Sequence, residues 1–413
     1  MKQYKLKHDK RHNMVQRGGN SVETTPTMQF MNEIWPRYCS AEYGNVPPPV
    51  IISPKRRIIV MGDIHGDYAL MIKYFKLARL IDDNNQWIGG DTYVVQVGDQ
   101  IDRCRFGMGA SCTDPMATIN DENSDMKILE FYNEMDKQAR VAGGAVISLY
   151  GNHEFMNVKG NMTYVSNKGT EGFDKYLDNR ESFQGTGADA RREAFKPGGK
   201  IARMLACTRV PAIIIGPFLF VHAGIVDRLI DQLHINDVDE LETIRTAIAS
   251  WLLGITPEST VRHYIDPTDI SMFWTRILGM LDPGLPADHT LCVNNLTKVL
   301  KIMKISNMFI GHTPQSFLKN MGINATCGDQ IYRVDHGASA AFDTMDPHVA
   351  NGHRHPARNA QVLEIITDLN TQTSQFNILS DHTTNQPARQ QKNATDDMHY
   401  AIRQRTQFTI RRK

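Results

Sequence analysis

Short apolar runs recur along the chain, and each of them stops at a cluster of polar residues. The runs hold three to five residues, mostly Ile, Val, Leu and Phe, and this length and composition are typical of buried β-strands. A glycine opens most of the polar clusters, where it lets the backbone turn sharply beside a ligand. Strands are therefore predicted at residues 58–61, 93–97, 145–149, 218–221 and 308–310.

Helical periodicity appears between these strands. Leu241, Ile244, Ile248, Trp251 and Leu252 follow one another at helical spacing, and we interpret this stripe as core packing. Strands that alternate with helices predict an α/β fold with layered helices and sheets. In such folds the functional loops lie at the C-terminal ends of the strands. Later strands are predicted at residues 330–334, 361–366 and 375–379.

The polarity of the chain divides it into three parts. Residues 1–50 are polar and basic and end in three prolines, so we expect an N-terminal arm that closes in an extended linker. Residues 51–380 carry the apolar runs and form the main domain. Within it, residues 157–200 are polar and Gly-rich, and they are either a lid or insertion near the site or a surface excursion without function. Residues 381–413 are predicted to be a disordered basic tail.

The composition narrows the class of protein. Apolar residues make up 41% of the 413 residues, which is enough for a substantial core. No apolar run approaches the length of about 18 residues that favours a membrane span, and no apolar secretory segment follows the N-terminus. We therefore expect a cytoplasmic protein. The six cysteines form no CxxC pair and are expected to be free thiols, although Cys104 and Cys112 could pair under oxidation.

The net charge of +1 hides an asymmetry between the ends and the body of the chain. Residues 1–20 hold six Lys or Arg against one acid, and residues 389–413 hold seven against two. Basic ends on an acidic body could contact nucleic acid, a membrane surface or an acidic partner. Solvated ends without a partner are the simpler interpretation, and the acidic body shows no basic stripe for nucleic acid.

The polar clusters are rich in residue types that bind metals. Asp63 and His65 are two residues apart, so in an extended stretch both side chains can face the same way and hold one metal ion. Asp99, in the next cluster, could bridge two ions. Any one of these residues alone could be a helix cap or a structural histidine, but their shared placement after strands favours a site for two transition-metal dications. The second ion would be completed by Asn152, His222 and His312.

A second group of residues in the same clusters suits the chemistry of phosphoryl transfer. A hydroxide held between two cations can attack phosphorus in line, and a guanidinium matches the phosphoryl oxygens bidentately. Arg103 and Arg276 are the candidates for this contact, with Asn152 beside them, and Arg276 is the weaker one. His153 could protonate the leaving oxygen, and Asp102 could orient that imidazole.

Taken together, the clusters resemble those of the calcineurin-like metallophosphoesterases, in the phosphoprotein phosphatase branch. The resemblance is greatest to the Shewanella-like protein phosphatases, and it covers about residues 55–345. The matching motifs are GDIHGD at 62–67, GDQIDR at 98–103, GNHE at 151–154, VHAG at 221–224, FWTR at 273–276 and GHTPQ at 311–315.

The resemblance carries expectations about fold and cofactor. It implies a β-sandwich flanked by helices, with a pair of metal ions such as Mn, Fe or Zn at the sandwich edge. It supports the same ligand sets and the same acid pair, His153 with Asp102. Cys104 stands where the family usually has Gly, and His336 stands where close relatives tend to have Val. The segment after GNHE matches poorly, so the choice of substrate is left open.

Several functions are therefore compared. The leading one is a phosphatase acting on phosphoproteins, at serine or threonine, with tyrosine as an alternative. A dinucleoside polyphosphate hydrolase shares GDIHG and GNHE, but the later motifs favour the protein phosphatases. A phosphodiesterase or nuclease and a catalytically silent scaffold are the remaining alternatives, and the intact ligand set argues against the scaffold.

Overall fold

The computed structural model describes residues 25–105 and 111–381, and twelve strands lie in this part of the chain. Most of them are short, and the longest two are near the C-terminal end. The strands are β1 (Ile51–Ile52), β2 (Arg57–Met61), β3 (Tyr93–Gln96), β4 (Ala145–Leu149), β5 (Arg209–Val210), β6 (Ala212–Ile215), β7 (Phe218–Val221), β8 (Asn307–Ile310), β9 (Asn324–Thr326), β10 (Ile331–Arg333), β11 (Gln361–Asp368) and β12 (Thr373–Ser380).

These strands form two six-stranded sheets. One has the order β1-β6-β7-β8-β10-β9, and the other has the order β12-β11-β2-β3-β4-β5. Within the second sheet, β2, β3, β4 and β5 are parallel neighbours, and β11 and β12 continue it as antiparallel strands. Side chains from both sheets, including Val60, Val95, Ile213 and Phe220, share one buried core. The predicted α/β fold with a sheet sandwich is confirmed.

Helices flank the sheets. The longest three are Asp125–Val141, Thr290–Met303 and Glu240–Leu252. A π-helical segment, Phe30–Ile34, lies between the first two α-helices of the chain. The α-helices are α1 (Pro26–Gln29), α2 (Trp35–Tyr38), α3 (Ser40–Tyr43), α4 (Tyr68–Leu77), α5 (Asp125–Val141), α6 (Asn152–Val158), α7 (Gly187–Phe195), α8 (Lys200–Thr208), α9 (Asp227–Leu233), α10 (Glu240–Leu252), α11 (Arg262–Ile265), α12 (Thr290–Met303) and α13 (Gln315–Lys319). Short 3-10 helices lie at Lys168–Thr170, Phe173–Tyr176, Arg180–Ser182, Glu258–Thr260, Ala340–Met345, Val349–Asn351 and Pro356–Arg358.

The predicted N-terminal arm is described only from residue 25 onward, and this part is packed against the domain. Phe30 and Trp35 are fully buried in the main core, and Trp35 Nε1 donates a hydrogen bond to the carbonyl of Gly44 at 2.9 Å. Residues 1–24 lie outside the described part, as does the predicted tail after Asp381. Among the described residues, no helix is both long and apolar enough to cross a membrane.

The prediction of free thiols is wrong, because all six cysteines are paired in the structure. Cys39 is bonded to Cys207, Cys104 to Cys112 and Cys292 to Cys327. The first and third bonds join residues 168 and 35 positions apart, which the fold brings to a Cα–Cα distance of 5.5 Å. Local spacing along the sequence carries no sign of such pairs, because each depends on the packing of distant elements.

The predicted insertion, residues 157–200, is a folded part of the domain. It contains three of the 3-10 helices and α7, and it sends Phe173, Arg191 and Phe195 into the interior. The segment starts at the end of α6, which itself begins at Asn152 in the GNHE cluster. Its predicted function as a lid or insertion near the site stays a prediction.

Candidate metal centre

The polar clusters meet at one end of the two sheets. The loops after β2, β3 and β4 carry Asp63, Asp99 and Asn152, and the loops after β7 and β8 carry His222 and His312. All five side chains are at most 5% exposed. Parallel strands end at the same edge of a sheet, which is why residues scattered over about 250 positions converge here.

The backbone of these loops is unusually constrained. His65, Asp99, Asp102 and His312 all have positive φ, between 46° and 75°, a region that costs non-glycine residues free energy and is found mainly where the surrounding structure holds the residue in place. A Cβ on Gly151 would collide with the side chain of Asp99. Glycine is thus required for the close approach of the loops.

One carboxylate oxygen, Asp99 Oδ2, lies at the middle of the cluster. It is 3.4 Å from His222 Nε2, 3.8 Å from His65 Nε2 and 3.8 Å from His153 Nε2. Metal ions of the zinc type lie about 2 Å from nitrogen and oxygen ligands, so two ligand atoms of one ion must lie within about 4 Å of each other. The position of Asp99 is therefore compatible with metal binding, and its predicted role as a carboxylate shared between two ions stays a prediction.

Asp63 lies on one side of Asp99. Its Oδ2 is 3.7 Å from His65 Nε2 and accepts the backbone N–H of His312 at 3.0 Å. Its Oδ1 is buried without a hydrogen-bond partner, which leaves a charged oxygen available to a cation. Burial raises the pKa of Asp63 well above its usual range, and the nearby carboxylates of Asp335 and Asp99 add to this. A bound cation would supply the missing positive partner.

Asn152, His222 and His312 lie on the other side of Asp99. His222 Nε2 is 2.9 Å from Asn152 Oδ1, and His222 Nδ1 is hydrogen-bonded to the carbonyl of Val97 at 2.8 Å. A hydrogen bond of this kind fixes the tautomer, so that Nε2 faces the centre as a ligand would. One donor atom from each of Asp99, His222 and His312 lies within 4.8 Å of the others.

The electrostatics of the centre match its ligand chemistry at Asp99, His65 and His312, whereas the neighbouring Asp99 raises the pKa of His222 although burial alone would lower it. Burial alone would raise the pKa of Asp99, but His222, His153 and His65 together hold it well below its usual range, so this carboxylate is ionised. Burial lowers the pKa of His65 well below its usual range, and the charge of Arg105 lowers it further. Burial also lowers the pKa of His312 well below its usual range, and His222 lowers it further. Neutral imidazoles and an ionised carboxylate are the forms that bind metal ions. The donor set fits a pair of transition-metal dications.

His153 belongs to the same constellation but also has a partner of its own. Its Nδ1 lies 2.8 Å from Asp102 Oδ2, and its Nε2 faces Asp99. In the structure, donor atoms of His65, Asp99 and His153 lie close enough together to hold one metal ion. The sequence analysis instead assigns Asp63, His65 and Asp99 to the first ion and His153 to proton transfer. Both Asp63 and His153 border the centre, and the division between ligand and acid stays a prediction.

The two arginines predicted from the sequence are placed differently. Arg103 is buried, and its Nη1 donates to the carbonyl of Gly66 at 2.8 Å and to Glu122 Oε1 at 2.7 Å. Arg276 is exposed, and its Nη1 donates to the carbonyl of His312 at 2.7 Å. Arg276 is thus tethered beside a candidate ligand with the rest of its guanidinium accessible from solvent.

Sequence reasoning missed Arg105. Its Nη1 donates to the carbonyls of Asp102 and Cys104 at 3.1 and 2.8 Å, and its guanidinium lies 4.8 Å from the ring centroid of Phe342 and 5.3 Å from that of Tyr164. The positive charge is close enough to the centre to help lower the pKa of His65. The family motif ends at Arg103, so no local pattern pointed two residues further.

Glu154 is another missed residue, and it acts on the backbone. Its carboxylate accepts the N–H of Gly151 at 2.6 Å, of Gln100 at 2.9 Å and of Asp99 at 3.1 Å. These bonds tie the GNHE loop to the loop that carries Asp99. The sequence shows Glu154 beside two functional residues, but it does not show which backbone groups it would hold.

The family can now be stated from comparison with known proteins. Residues 56–316 match the family model of the calcineurin-like phosphoesterases. The chain belongs to this family. The resemblance predicted from the sequence is confirmed. The chain is thus a hydrolase of the phosphoesterase class, and a metal-dependent phosphatase is supported. The buried His and Asp donors described above are the residues available to hold the divalent metals that this family uses.

Individual relatives agree with the family. The chain is 29% identical to Shewanella-like protein phosphatase 2 of Arabidopsis thaliana, over 68% of this chain and 71% of that one. It is 27% identical to Shewanella-like protein phosphatase 1 of Plasmodium berghei, over 71% and 70%. An uncharacterised protein of Acanthamoeba polyphaga mimivirus is 36% identical, over 58% of this chain and 95% of its own length.

Solved structures show the same fold. The cold-active protein-tyrosine phosphatase of a Shewanella species superposes with a TM-score of 0.55 and covers 81% of this chain and 83% of its own, at 17% identity. A second structure of a cold-active protein tyrosine phosphatase gives a TM-score of 0.53 at 18% identity, over 77% and 76%. At this level of identity the likeness establishes the fold of the calcineurin-like phosphoesterase and nothing finer.

Proposed function

We propose that this calcineurin-like phosphoesterase is a phosphoprotein phosphatase that hydrolyses phosphomonoesters of serine and threonine, with phosphotyrosine as the alternative. The observation that carries the proposal is the position of Asp99 Oδ2 among three imidazole nitrogens, one of which belongs to His153 backed by Asp102. The Shewanella-like protein phosphatases among its relatives support a phosphoprotein substrate.

The proposed cofactor is a pair of divalent ions such as Mn, Fe or Zn. When bound, such ions activate a water for attack on phosphorus and neutralise the charge of the phosphoryl oxygens. The residues proposed to hold the first ion are Asp63, His65 and Asp99. Those proposed to hold the second are Asp99, Asn152, His222 and His312.

The other polar residues of the site would act on the substrate. Arg276, Arg103 and Asn152 are proposed to bind the phosphoryl oxygens, because guanidinium and amide donors match these acceptors. His153 would donate its Nε2 proton to the leaving oxygen while Asp102 holds the opposite ring nitrogen. In this scheme the chain itself supplies the orientation of the phosphate and the proton that the departing alkoxide needs.

Phosphotyrosine is kept as an alternative for a structural reason. The rings of Phe342 and Tyr164 lie 5.4 Å from His65 and 5.0 Å from His153, measured between ring centroids. Aromatic side chains beside the centre could pack against the ring of a phosphotyrosine. The solved proteins of similar fold are protein tyrosine phosphatases, which agrees with this alternative.

The proposal is tested by hydrolysis rates of purified, Mn-loaded protein on four substrates. These are a phosphoserine peptide, a phosphotyrosine peptide of the same sequence, diadenosine tetraphosphate and a phosphodiester reporter. We expect the highest kcat/KM on a phosphopeptide, and the ratio between the two peptides decides between serine and tyrosine. A preference for the dinucleotide or the diester would overturn the phosphoprotein assignment, and the absence of turnover on all four would favour a binding scaffold.

Removal of the metals should abolish turnover and lower the stability of the domain. Asp63 and Asp99 are buried carboxylates, and without cations their mutual repulsion opposes folding. We expect dialysis against a chelator to remove activity and to lower the melting temperature, and we expect added Mn to restore both. Activity that survives while elemental analysis shows no metal would contradict the proposed cofactor.

The structure bears on the predicted compartment through its disulfides, and on the predicted partners through the part of the chain that it describes. Paired cysteines are typical of oxidising compartments, and all six cysteines are paired here. The cytoplasmic location, which rests on the lack of a visible membrane span or secretory segment in the sequence, stays a prediction. The basic segments considered as contacts for nucleic acid, a membrane surface or an acidic partner, residues 1–20 and 389–413, lie outside the described residues. The proposed phosphoprotein substrate is supported by the Shewanella-like protein phosphatases among the relatives.

A further inference from the structure

The insertion that follows GNHE places one arginine directly behind the predicted acid pair. Arg191 lies in α7, and its side chain is fully buried. Its guanidinium lies 4.9 Å from the ring centroid of Phe173 and 5.1 Å from that of Phe195. Arginine is almost never buried completely unless its charge is paired. The partners of this guanidinium therefore indicate why the charge is there.

One of those partners, Asp102, belongs to the candidate site, and the others lie in α5, in α6 and in the insertion. Nη2 lies 3.1 Å from Asp102 Oδ1, Nη1 lies 2.7 Å from Asp125 Oδ2, and Nε donates to Asn157 Oδ1 at 2.8 Å. Nη1 also donates to the carbonyl of Gly169 at 2.6 Å. The planar fork of the guanidinium is thus engaged on each of its three nitrogens, which fixes its orientation as well as its charge.

Asp102 is also held by two other side chains, those of His153 and Asn157. Its Oδ2 accepts from His153 Nδ1 at 2.8 Å, and Asn157 Nδ2 lies 2.9 and 3.0 Å from its two oxygens. Arg191 occupies the remaining direction at Oδ1. The carboxylate therefore has one orientation, and that orientation directs His153 Nε2 toward the metal centre. Asp102 and Arg191 are 89 positions apart, so only the folded insertion creates this contact.

We propose that Arg191 is a positioning residue for the proton-transfer step, acting through Asp102 on His153. The inference rests on the proposed function. In that step the attacking water has given one proton to solvent, the oxygen of the resulting hydroxide bonds to phosphorus, and the bond from phosphorus to the leaving oxygen breaks with its electron pair on that oxygen. The leaving oxygen takes the Nε2 proton of His153, and the imidazole regains a proton from solvent. Asp102 keeps its hydrogen bond with His153 Nδ1 throughout. Arg191 does not touch the substrate, and its effect is to keep this carboxylate in place.

A purely structural role makes a different prediction. If Arg191 only stabilised the insertion, its loss would reduce the amount of folded enzyme and lower every rate by the same factor. If it positions the acid, its loss should matter most for leaving groups that cannot depart without a proton. Alkoxides such as that of serine need the proton, whereas p-nitrophenolate is a stable leaving group and hardly needs it.

The test compares Arg191→Lys and Arg191→Gln with the unchanged protein, all as full-length chains loaded with Mn. The measured quantity is kcat/KM on a phosphoserine peptide and on p-nitrophenyl phosphate, taken from the same sample so that any loss of folded protein cancels in the ratio. We expect Arg191→Gln to lower the peptide rate by about 10²-fold, within the usual scale of general acid catalysis, and the aryl rate by less than about tenfold. Arg191→Lys, which keeps the charge but not the fork, should fall between.

A double-mutant cycle with His153→Ala identifies the route of the effect. Residues that act as one unit give strongly non-additive losses. Once His153 is removed, Arg191→Gln should change neither the peptide rate nor the ratio by more than about twofold. Equal losses in both backgrounds, or equal losses on both substrates, would overturn the proposal and leave Arg191 a structural residue.

Two further variants keep the result interpretable. Asn157→Leu removes both the amide that holds Asp102 and the oxygen that fixes Arg191 Nε, so it should give the same bias if the Arg191 variants do not fold. Arg245→Lys is the matched control. Arg245 is also buried, pairs with Glu242 through Nε at 3.0 Å and lies 4.7 Å from the ring of Phe30, but its partners belong to α10 and the N-terminal helices.

The control should lower stability and leave the substrate ratio unchanged. A bias in Arg245→Lys equal to that in Arg191→Gln would show that the ratio reports general loosening, and the proposal would fall. If the unchanged protein hydrolyses neither phosphomonoester, the proposed function fails before Arg191 is tested. If it hydrolyses both and the Arg191 variants keep its ratio, only the positioning role fails.

Discussion

Replacing Asp99 by Asn should abolish turnover and weaken both metal positions at once. Asp99 Oδ2 lies within 4 Å of a ring nitrogen from each of three histidines, His65, His153 and His222. An amide has nearly the same shape, but it lacks the charge that balances two dications. Two-metal sites supply several kcal/mol of transition-state stabilisation, so we expect a loss of about 10³-fold or more.

Metal content and rate are measured together for this variant. Elemental analysis after gel filtration should show less than the full complement of metal, and kcat/KM on phosphopeptide should fall to background. Asp227→Asn is a suitable control, because Asp227 is also buried and its Oδ1 accepts the backbone N–H groups of Lys298 and Val299 at 2.9 and 3.0 Å. It should lower stability without changing metal content. Full metal and near-normal turnover in Asp99→Asn would contradict a shared carboxylate.

Much of the fold could be predicted, because its central strands are local features of the sequence. All five of the apolar runs identified first are strands, displaced by at most one residue at an end, as at Tyr93–Gln96. The stripe from Leu241 to Leu252 lies in α10. The antiparallel strand β6, Ala212–Ile215, was missed although it is wholly apolar. It is separated from β7 by only two residues, so the two strands were hard to resolve by pattern alone.

The N-terminal region shows where sequence reasoning reached its limit. The helices within residues 25–43 are short, so local periodicity gives almost no signal. They are held by tertiary contacts, in which Trp35 is buried in the main core and Cys39 is bonded to Cys207. Both contacts depend on where the rest of the domain places its partner surface.

The site divides in the same way. Asp63, His65, Asp99 and His153 could be named because each lies in a short motif directly after a strand, where the fold leaves little freedom. Arg191 could not be named, because it sits in a poorly matched segment and reaches Asp102 only through the packing of the insertion. These candidate site residues are thus encoded locally, whereas a residue such as Arg191 that contacts them from behind is encoded by tertiary structure.

His153→Ala should separate proton transfer from metal binding. His153 has two roles open to it, since its Nδ1 is bonded to Asp102 at 2.8 Å while its Nε2 lies 3.8 Å from Asp99 Oδ2. If it is the general acid, the variant should keep its metals and lose about 10²–10⁴-fold in turnover of the phosphoserine peptide. The loss on p-nitrophenyl phosphate should be smaller, because that leaving group departs without help.

The measurement is metal content by elemental analysis beside kcat/KM on both substrates. His65→Ala is the matched variant, because His65 Nε2 is as close to Asp99 Oδ2 as His153 Nε2 is. The Nδ1 of His65 is hydrogen-bonded to the carbonyl of Ile101, whereas the Nδ1 of His153 is bonded to a carboxylate. It should lose metal together with activity on both substrates. If His153→Ala also lost its metals, His153 would be a ligand of the first ion beside His65 and Asp99, and the leaving oxygen would need another proton donor. Retained metal with a selective loss on the peptide would instead assign the proton to His153, because a missing ligand would slow both substrates alike.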